Sequence, residues 1–354
     1  MEYGHGGDIY SQKVKLDFSA NINPLGLPDG VKEALKKGIS LCSSYPDSQC
    51  RTLVTALSEY HKLPEEWIVC SNGAADLIFQ LAFGCRPDKA LLVSPSFSEY
   101  SSALAAAGCD IQYFELGEED GYALDTARFC SFLKENCTGK TMVFLCNPNN
   151  PTGLVLDSPD VLKIAEVCQD NGMILAVDEC FCDFLDKPER CSIIPRLGEF
   201  PNTVVIKAFT KMYGMAGLRL GYGLCSSKEI LESVRKVRQP WSVSVLAQEA
   251  GTAALKERDY VETTRKLIRC ERDYLKKGLE ALGFLVWDSR ANYLFFKDTN
   301  QEPEKLYGQM LEKGILIRSC KNYQGLNGSY YRICVRTREE NKQFLQSVRA
   351  VIGE

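Results

Sequence analysis

Thr141-Met142-Val143-Phe144-Leu145-Cys146-Asn147-Pro148-Asn149-Asn150-Pro151-Thr152-Gly153 is an apolar run of strand length that ends abruptly in the residues from which turns are built. A helical spacing of apolar residues follows over 161–169, and a second apolar run over 173–177 closes on Asp178-Glu179. Strand, loop, helix and strand in that order make a right-handed crossover between parallel strands. Working outward, runs at 67–70, 90–93, 111–114, 203–206 and 220–224 read as further strands. Helical patterns at 77–83 and 100–107 separate some of them. The expectation is an α/β large domain with a mostly parallel seven-stranded sheet over 41–245. Connecting helices would follow over 246–282, then a small α+β domain over 283–354 with strands at 284–286, 293–296, 315–318 and 331–335. An N-terminal arm, 1–40, would join the small domain or a partner subunit.

The 354 residues carry a net charge of -4, 45% hydrophobic and 25% charged residues, which is the balance of an ordinary globular chain. No excess of Lys and Arg is available to neutralise a phosphate backbone, so nucleic acid is not an expected partner. No apolar stretch reaches the length of a membrane span, and the opening residues do not resemble a signal peptide, so no membrane partner is expected. The 16 cysteines include no C-x-x-C pair and lie in apolar runs; they read as reduced core residues of a cytoplasmic protein. Cys180 and Cys182 flank Phe181, but with two histidines in the whole chain no metal site is expected.

Three loops stand where an α/β sheet puts its ligands, beyond the carboxyl ends of strands. The Asn-rich loop can be a plain turn or can present the Asn150 amide to a ligand. Asp178 ends a buried strand, where it is either a cap or a carboxylate with a cationic partner. In Ala208-Phe209-Thr210-Lys211-Met212-Tyr213-Gly214 with Gly217-Leu218-Arg219-Leu220-Gly221, Lys211 follows a strand. A hydroxyl and a guanidinium suited to phosphate lie beside it.

In their order N-P-x-N-P-T-G, D-E, T-K and G-L-R, these motifs resemble the fold-type I pyridoxal-phosphate (PLP) enzymes of the class I/II aminotransferase family, over essentially the whole chain. The resemblance implies PLP as cofactor, held by Lys211 as a Schiff base, with Asp178 on the pyridine nitrogen and Asn150 on the ring 3-oxygen. Gly73, Ala74 and Ala75 would open a helix onto the cofactor phosphate, completed by Thr210 and Arg219. Phe97 would stack on the ring. Tyr45 would reach the phosphate bound in a neighbouring subunit, which implies a homodimer.

Within the family, His5-Gly6-Gly7, the run Asp17-Phe18-Ser19-Ala20-Asn21-Ile22-Asn23-Pro24-Leu25-Gly26 and Arg318-Ser319-Cys320 with Asn322-Tyr323 look most like the L-threonine-O-3-phosphate decarboxylases of cobalamin biosynthesis. The histidinol-phosphate aminotransferases are the next nearest. This resemblance implies decarboxylation of a small phosphorylated amino acid to (R)-1-amino-2-propanol phosphate, with transamination as the alternative and a non-catalytic binding protein as a third. Arg332 would take the α-carboxylate and Arg318 the phosphate, with Arg336 in second rank and His5 and Asn23 as arm contacts. Two departures stand out: Phe181 replaces the tyrosine usual in the aminotransferases, and Ala208 replaces a serine that would add a donor to the phosphate cup.

Overall fold

The computed structural model describes residues 5–11, 13–137 and 140–353; the first four residues of the expected arm lie outside them. Thirteen strands occur among the described residues. The first is β1, Leu16–Asp17. The large sheet is built from β2 (Ile68–Ser71), β3 (Lys89–Ser94), β4 (Asp110–Glu115), β5 (Thr141–Cys146), β6 (Ile174–Asp178), β7 (Thr203–Ala208) and β8 (Gly221–Leu224). Its order is β2-β8-β7-β6-β5-β3-β4. All seven apolar runs of the sequence therefore lie in one sheet. Those in the middle of the sheet are nearly continuous in hydrophobicity because helices cover both faces, whereas the edge strand β4 alternates. The neighbours are parallel except at β8, which is antiparallel to both β7 and β2.

That single reversal places the site. Parallel β5, β6 and β7 end side by side, with Cys146 opposite Asp178 and Asp178 opposite Ile206, so the loops carrying Asn150, Asp178 and Lys211 emerge together. Because β8 runs the other way, its beginning, not its end, lies at this edge, with Gly221 opposite both Ala208 and Ser71. Arg219 thereby meets the start of the helix Ala74–Cys85. Gly221 has to be glycine: a Cβ there would sit 2.6 Å from the amide nitrogen of Ala74.

The helical stretch after the sheet divides into Val245–Ala254 and the long helix Arg258–Ala281. Beyond it β9 (Leu285–Val286), β10 (Tyr293–Lys297), β11 (Ile315–Leu316), β12 (Arg318–Ser319) and β13 (Tyr330–Cys334) form two small sheets. The expected strand 315–318 is in fact two. Its first half pairs in parallel with β1 of the arm, and its second half turns to pair with β13. An apolar pattern marks such a segment as extended but carries no information about its partner. All 16 cysteines are unpaired, and Cys42, Cys130 and Cys270 are the ones not buried. Among the described residues, no helix is long and apolar enough to cross a membrane.

Candidate active site

The three loops open onto a cavity of about 400 Å³ lined by His5, Asn21, Phe97, Asn150, Asp178, Phe181, Thr210, Lys211, Arg219, Arg318, Tyr323 and Arg332, among others. Ala74 and Ala75, at the amino end of their helix, line one end. Gly73 caps that helix at φ 92°, and a Cβ on it would lie 2.5 Å from Nη2 of Arg219. Unpaired helix amides, the Thr210 hydroxyl and the Arg219 guanidinium thus converge, a constellation suited to phosphate. A larger cleft of about 670 Å³ lies elsewhere, around Asp157, Arg190, Arg272 and Arg290, and contains none of the predicted site residues.

Lys211 is half-buried, its amine makes no hydrogen bond among the described residues, and its Nζ lies 5.6 Å from the centre of the Phe181 ring. Burial, reinforced by the charges of Arg332 and Arg219, lowers its pKa from 10.5 to about 8. A desolvated amine poised this way is a nucleophile near neutral pH. We therefore expect the rate at which the apoprotein captures pyridoxal phosphate to rise with pH and to level off just above 8, instead of climbing toward 10.5. Stopped-flow absorbance across pH 6–10 tests this.

Asp178 is buried and lines the same cavity. One carboxylate oxygen accepts from the Tyr100 hydroxyl at 2.7 Å and the other from the Cys180 amide at 2.9 Å. Tyr100, one residue into the helix Glu99–Ala106, is fully buried and stacks on Phe144. A hydrogen bond to a carboxylate contributes on the order of 1.5–3 kcal/mol, so Tyr100→Phe is expected to weaken cofactor retention about tenfold or more, measured by equilibrium dialysis. Phe97 stands edge-on to Tyr100 with centroids 5.6 Å apart.

The carbonyl oxygen of Asn150 accepts from the Tyr323 hydroxyl at 3.2 Å and from Nη1 of Arg332. Its amide NH2 is what remains to serve a ligand. Nη2 of Arg332 donates to the backbone oxygen of Ser19 at 2.8 Å, while its buried Nε has no partner. Arg318 and Arg332 face each other directly in the β12–β13 register, so two guanidiniums stand side by side; Arg318 donates to Asn322 and lies over the Tyr323 ring. Like charges at paired cross-strand positions repel, and such a pair calls for anions.

Two expectations, Asn23 and Arg336, are corrected by position. Asn23 is not in the cavity lining. Its amide nitrogen donates to the Met212 carbonyl and the Thr264 hydroxyl, its oxygen accepts from the Leu25 amide, and its backbone nitrogen donates to the Lys211 carbonyl. It braces the chain behind Lys211 and has no polar group left for a substrate. Asn21 lies in the cavity instead, buried, with both amide atoms unpartnered. Arg336 is also outside the cavity, held by Glu340 at 2.9 Å and by the Asp17 carbonyl at 3.0 Å. Tyr45 lies outside it on this chain, 81% exposed and stacked on Trp241 at 4.7 Å. The residues that sequence reasoning missed are Asn21, Glu99, Tyr100 and Tyr323. Asn21 could have been found through its place in the same motif as Asn23, whereas Tyr100 looks in sequence like one more apolar position of a helix.

The set of groups fits pyridoxal phosphate on this structure's own terms. It offers one depressed amine, a hydrogen-bonded carboxylate and an amide donor in the same cavity, and a phosphate-sized cradle that a Cβ on Gly73 would fill. Residues 13–348 match the model of the family described as aminotransferase class I and II. Threonine-phosphate decarboxylase of Salmonella typhimurium is 38% identical over 98% of this chain and 96% of its own length. The adenosylcobalamin biosynthesis bifunctional protein CobDQ of Leptospira interrogans is 32% identical over 97% of this chain and 40% of its own length. Among solved structures, histidinol-phosphate aminotransferase from Clostridium acetobutylicum superposes with a TM-score of 0.88 at 29% identity, covering 95% of this chain and 98% of that one.

Proposed function

The chain belongs to the class I and II aminotransferase family, and from that premise we propose that it is a pyridoxal-phosphate enzyme that decarboxylates L-threonine O-3-phosphate to (R)-1-amino-2-propanol phosphate, a step of cobalamin biosynthesis. The observation that carries the substrate reading is the Arg318–Arg332 pair facing the Lys211 amine across one cavity. A molecule with an amine, a carboxylate and a phosphate satisfies all three groups.

When bound, pyridoxal phosphate supplies an electron-poor ring that takes up the electron pair released at the substrate α-carbon. Asp178, oriented by Tyr100 and the Cys180 amide, would hold a proton on the ring nitrogen. Asn150 would donate to the ring oxygen, and Phe97 would lie against the ring. Gly73, Ala74, Ala75, Thr210 and Arg219 would hold the cofactor phosphate. Arg332, pinned by Asn150, Tyr323 and Ser19, binds the substrate carboxylate and sets which bond at the α-carbon stands perpendicular to the ring. Arg318, with His5 from the arm, takes the substrate phosphate. The lowered pKa of Lys211, about 8, would let it give up and return a proton near neutral pH, which suits it to return a proton to the substrate α-carbon.

Transamination is the second reading, favoured by the likeness to the C. acetobutylicum structure. The deciding test is carbon dioxide release from L-threonine O-3-phosphate by the PLP-loaded protein with no keto acid present. Stoichiometric release with aminopropanol phosphate supports the decarboxylase. Absence of release, with glutamate formed from histidinol phosphate and 2-oxoglutarate, replaces it with the aminotransferase.

The same reading includes a homodimer in the cytoplasm. Supporting it are the exposed Tyr45–Trp241 stack, together with Ile39 and Leu41 just before Tyr45, and the buried unpaired thiols. Sedimentation equilibrium is expected to give twice the chain mass, and Tyr45→Ala to weaken cofactor retention by acting on the partner's site; a monomer that retains the cofactor tightly would overturn this.

A further inference from the structure

A carboxylate sits in the cavity with no part yet in the chemistry. Glu99 opens the helix Glu99–Ala106 and lines the same cavity as Lys211, Arg219, Arg318 and Arg332. Its Oε1 lies 3.1 Å from Nε2 of His5, the glutamate side chain 19% and the histidine side chain 45% exposed. Unpaired, a carboxylate at this place would repel a doubly anionic substrate. Its partner comes from the arm, 94 positions away in sequence.

The two halves of the pair differ in how firmly they are held. The next residue after Glu99, Tyr100, is buried and bonded to Asp178, so the helix that carries Glu99 is anchored to the cofactor wall. The arm rests on a few contacts. The Gly7 amide donates to Oγ of Ser19 at 2.7 Å, and Gly6 lies so close that a Cβ on it would come within 2.3 Å of the Ser19 carbonyl oxygen. That same carbonyl accepts from Arg332. The His5 ring, whose Nδ1 makes no hydrogen bond among the described residues, reaches the cavity beside Phe97, with centroids 6.5 Å apart.

We propose that Glu99 is a positioning residue for substrate recognition: by taking Nε2 of His5 it seats the arm over the cavity and leaves Nδ1 to meet the substrate phosphate. An imidazolium carries an N–H on each ring nitrogen, so Nε2–H donates to the Glu99 carboxylate while Nδ1–H is left to donate to the phosphate. Glu99 itself touches neither the cofactor nor the reacting atoms. This inference rests on the reading of the substrate as a phosphorylated amino acid.

The test compares Glu99→Gln, His5→Ala and the double variant with the wild type, all as full-length PLP-loaded protein. Glu99→Gln keeps the shape and removes the charge. Each single variant is expected to raise the KM for L-threonine O-3-phosphate about tenfold, the loss of one charge-assisted hydrogen bond, with kcat within about twofold. The double variant is expected to be no worse than His5→Ala, because both changes break one unit. Independently of turnover, inorganic phosphate titrated calorimetrically into the holoenzyme is expected to bind about tenfold more weakly in each variant, and cofactor retention to be unchanged. Unchanged KM and phosphate affinity in Glu99→Gln overturn the proposal, as does tighter phosphate binding, which would make the carboxylate a repelling group. Additive penalties in the double variant also overturn it. Should the wild type release no carbon dioxide, the substrate reading fails while the phosphate titration still decides the pair.

Discussion

Lys211→Ala is expected to lower carbon dioxide release from L-threonine O-3-phosphate by on the order of 10⁴-fold, the upper range for removing a group that serves in proton transfer and as a nucleophile. No other side chain can take its place. Among the described residues the cavity holds one lysine; its remaining cations are arginines, which do not become neutral, and His5 at the mouth. Lys207, four positions earlier in the chain, is buried, but its Nζ is paired with Asp183 at 2.7 Å and its pKa is raised. Burial works against that charge, and the neighbouring groups, Asp183 first, more than compensate, so Lys207 holds its proton more tightly than Lys211 does. The variant is expected to lose the visible absorption of lysine-bound cofactor while keeping its melting temperature, since the amine removed has no hydrogen bond to lose. A variant that turns over at near the wild-type rate would remove Lys211 from the chemistry altogether.

Asp178→Asn is expected to have the second largest effect, a loss of roughly 10² to several times 10³ in kcat/KM, in line with the cost of about 3–5 kcal/mol for leaving one member of a buried charge pair without the other. The substitution preserves volume, and the amide oxygen can still accept from Tyr100 or the Cys180 amide. What it loses is the negative charge that, on the proposed reading, would keep a proton on the ring nitrogen. Because that charge acts on the cofactor and not on the substrate, the loss is expected mainly in kcat, with a shifted cofactor spectrum, whereas Arg332→Leu should raise KM as well. A loss confined to KM would place Asp178 in substrate binding and not opposite the ring. The two substitutions together separate the amine from the carboxylate, since Lys211→Ala abolishes the covalent attachment and Asp178→Asn leaves it intact.

Much of this arrangement is legible in the chain read as a string. The seven apolar runs, the loops after them and the residues Asn150, Asp178 and Lys211 all follow from short-range patterns, because a buried parallel strand must be apolar throughout and its carboxyl end must carry turn residues. Tyr100 was not legible, since a hydroxyl that finds a carboxylate 78 positions away looks in sequence like any aromatic in a helix. The choice between Asn21 and Asn23 was not legible either. The two lie in one motif, and what sends Asn23 to bracing duty is Thr264 and Met212, brought beside it by the long helix and by the Lys211 loop. Arg336 looked as suitable as Arg332, but β13 ends at Cys334, and Glu340 and the Asp17 carbonyl capture the later guanidinium.

The sequence by itself determined the large sheet's strands, because hydrophobic periodicity and loop chemistry are written within a few residues of each position, and its motifs carried the resemblance that pointed to the family and the cofactor. Tertiary structure alone decided the reversal of β8 that carries Arg219 to the helix start, the division of 315–319 between two sheets, the pairing of Arg318 with Arg332, and the meeting of His5 with Glu99. Each of these depends on register and direction between segments distant in the chain. Backbone hydrogen bonding can satisfy many such pairings equally well, and the choice among them is made by burial of the whole fold, not by any local pattern.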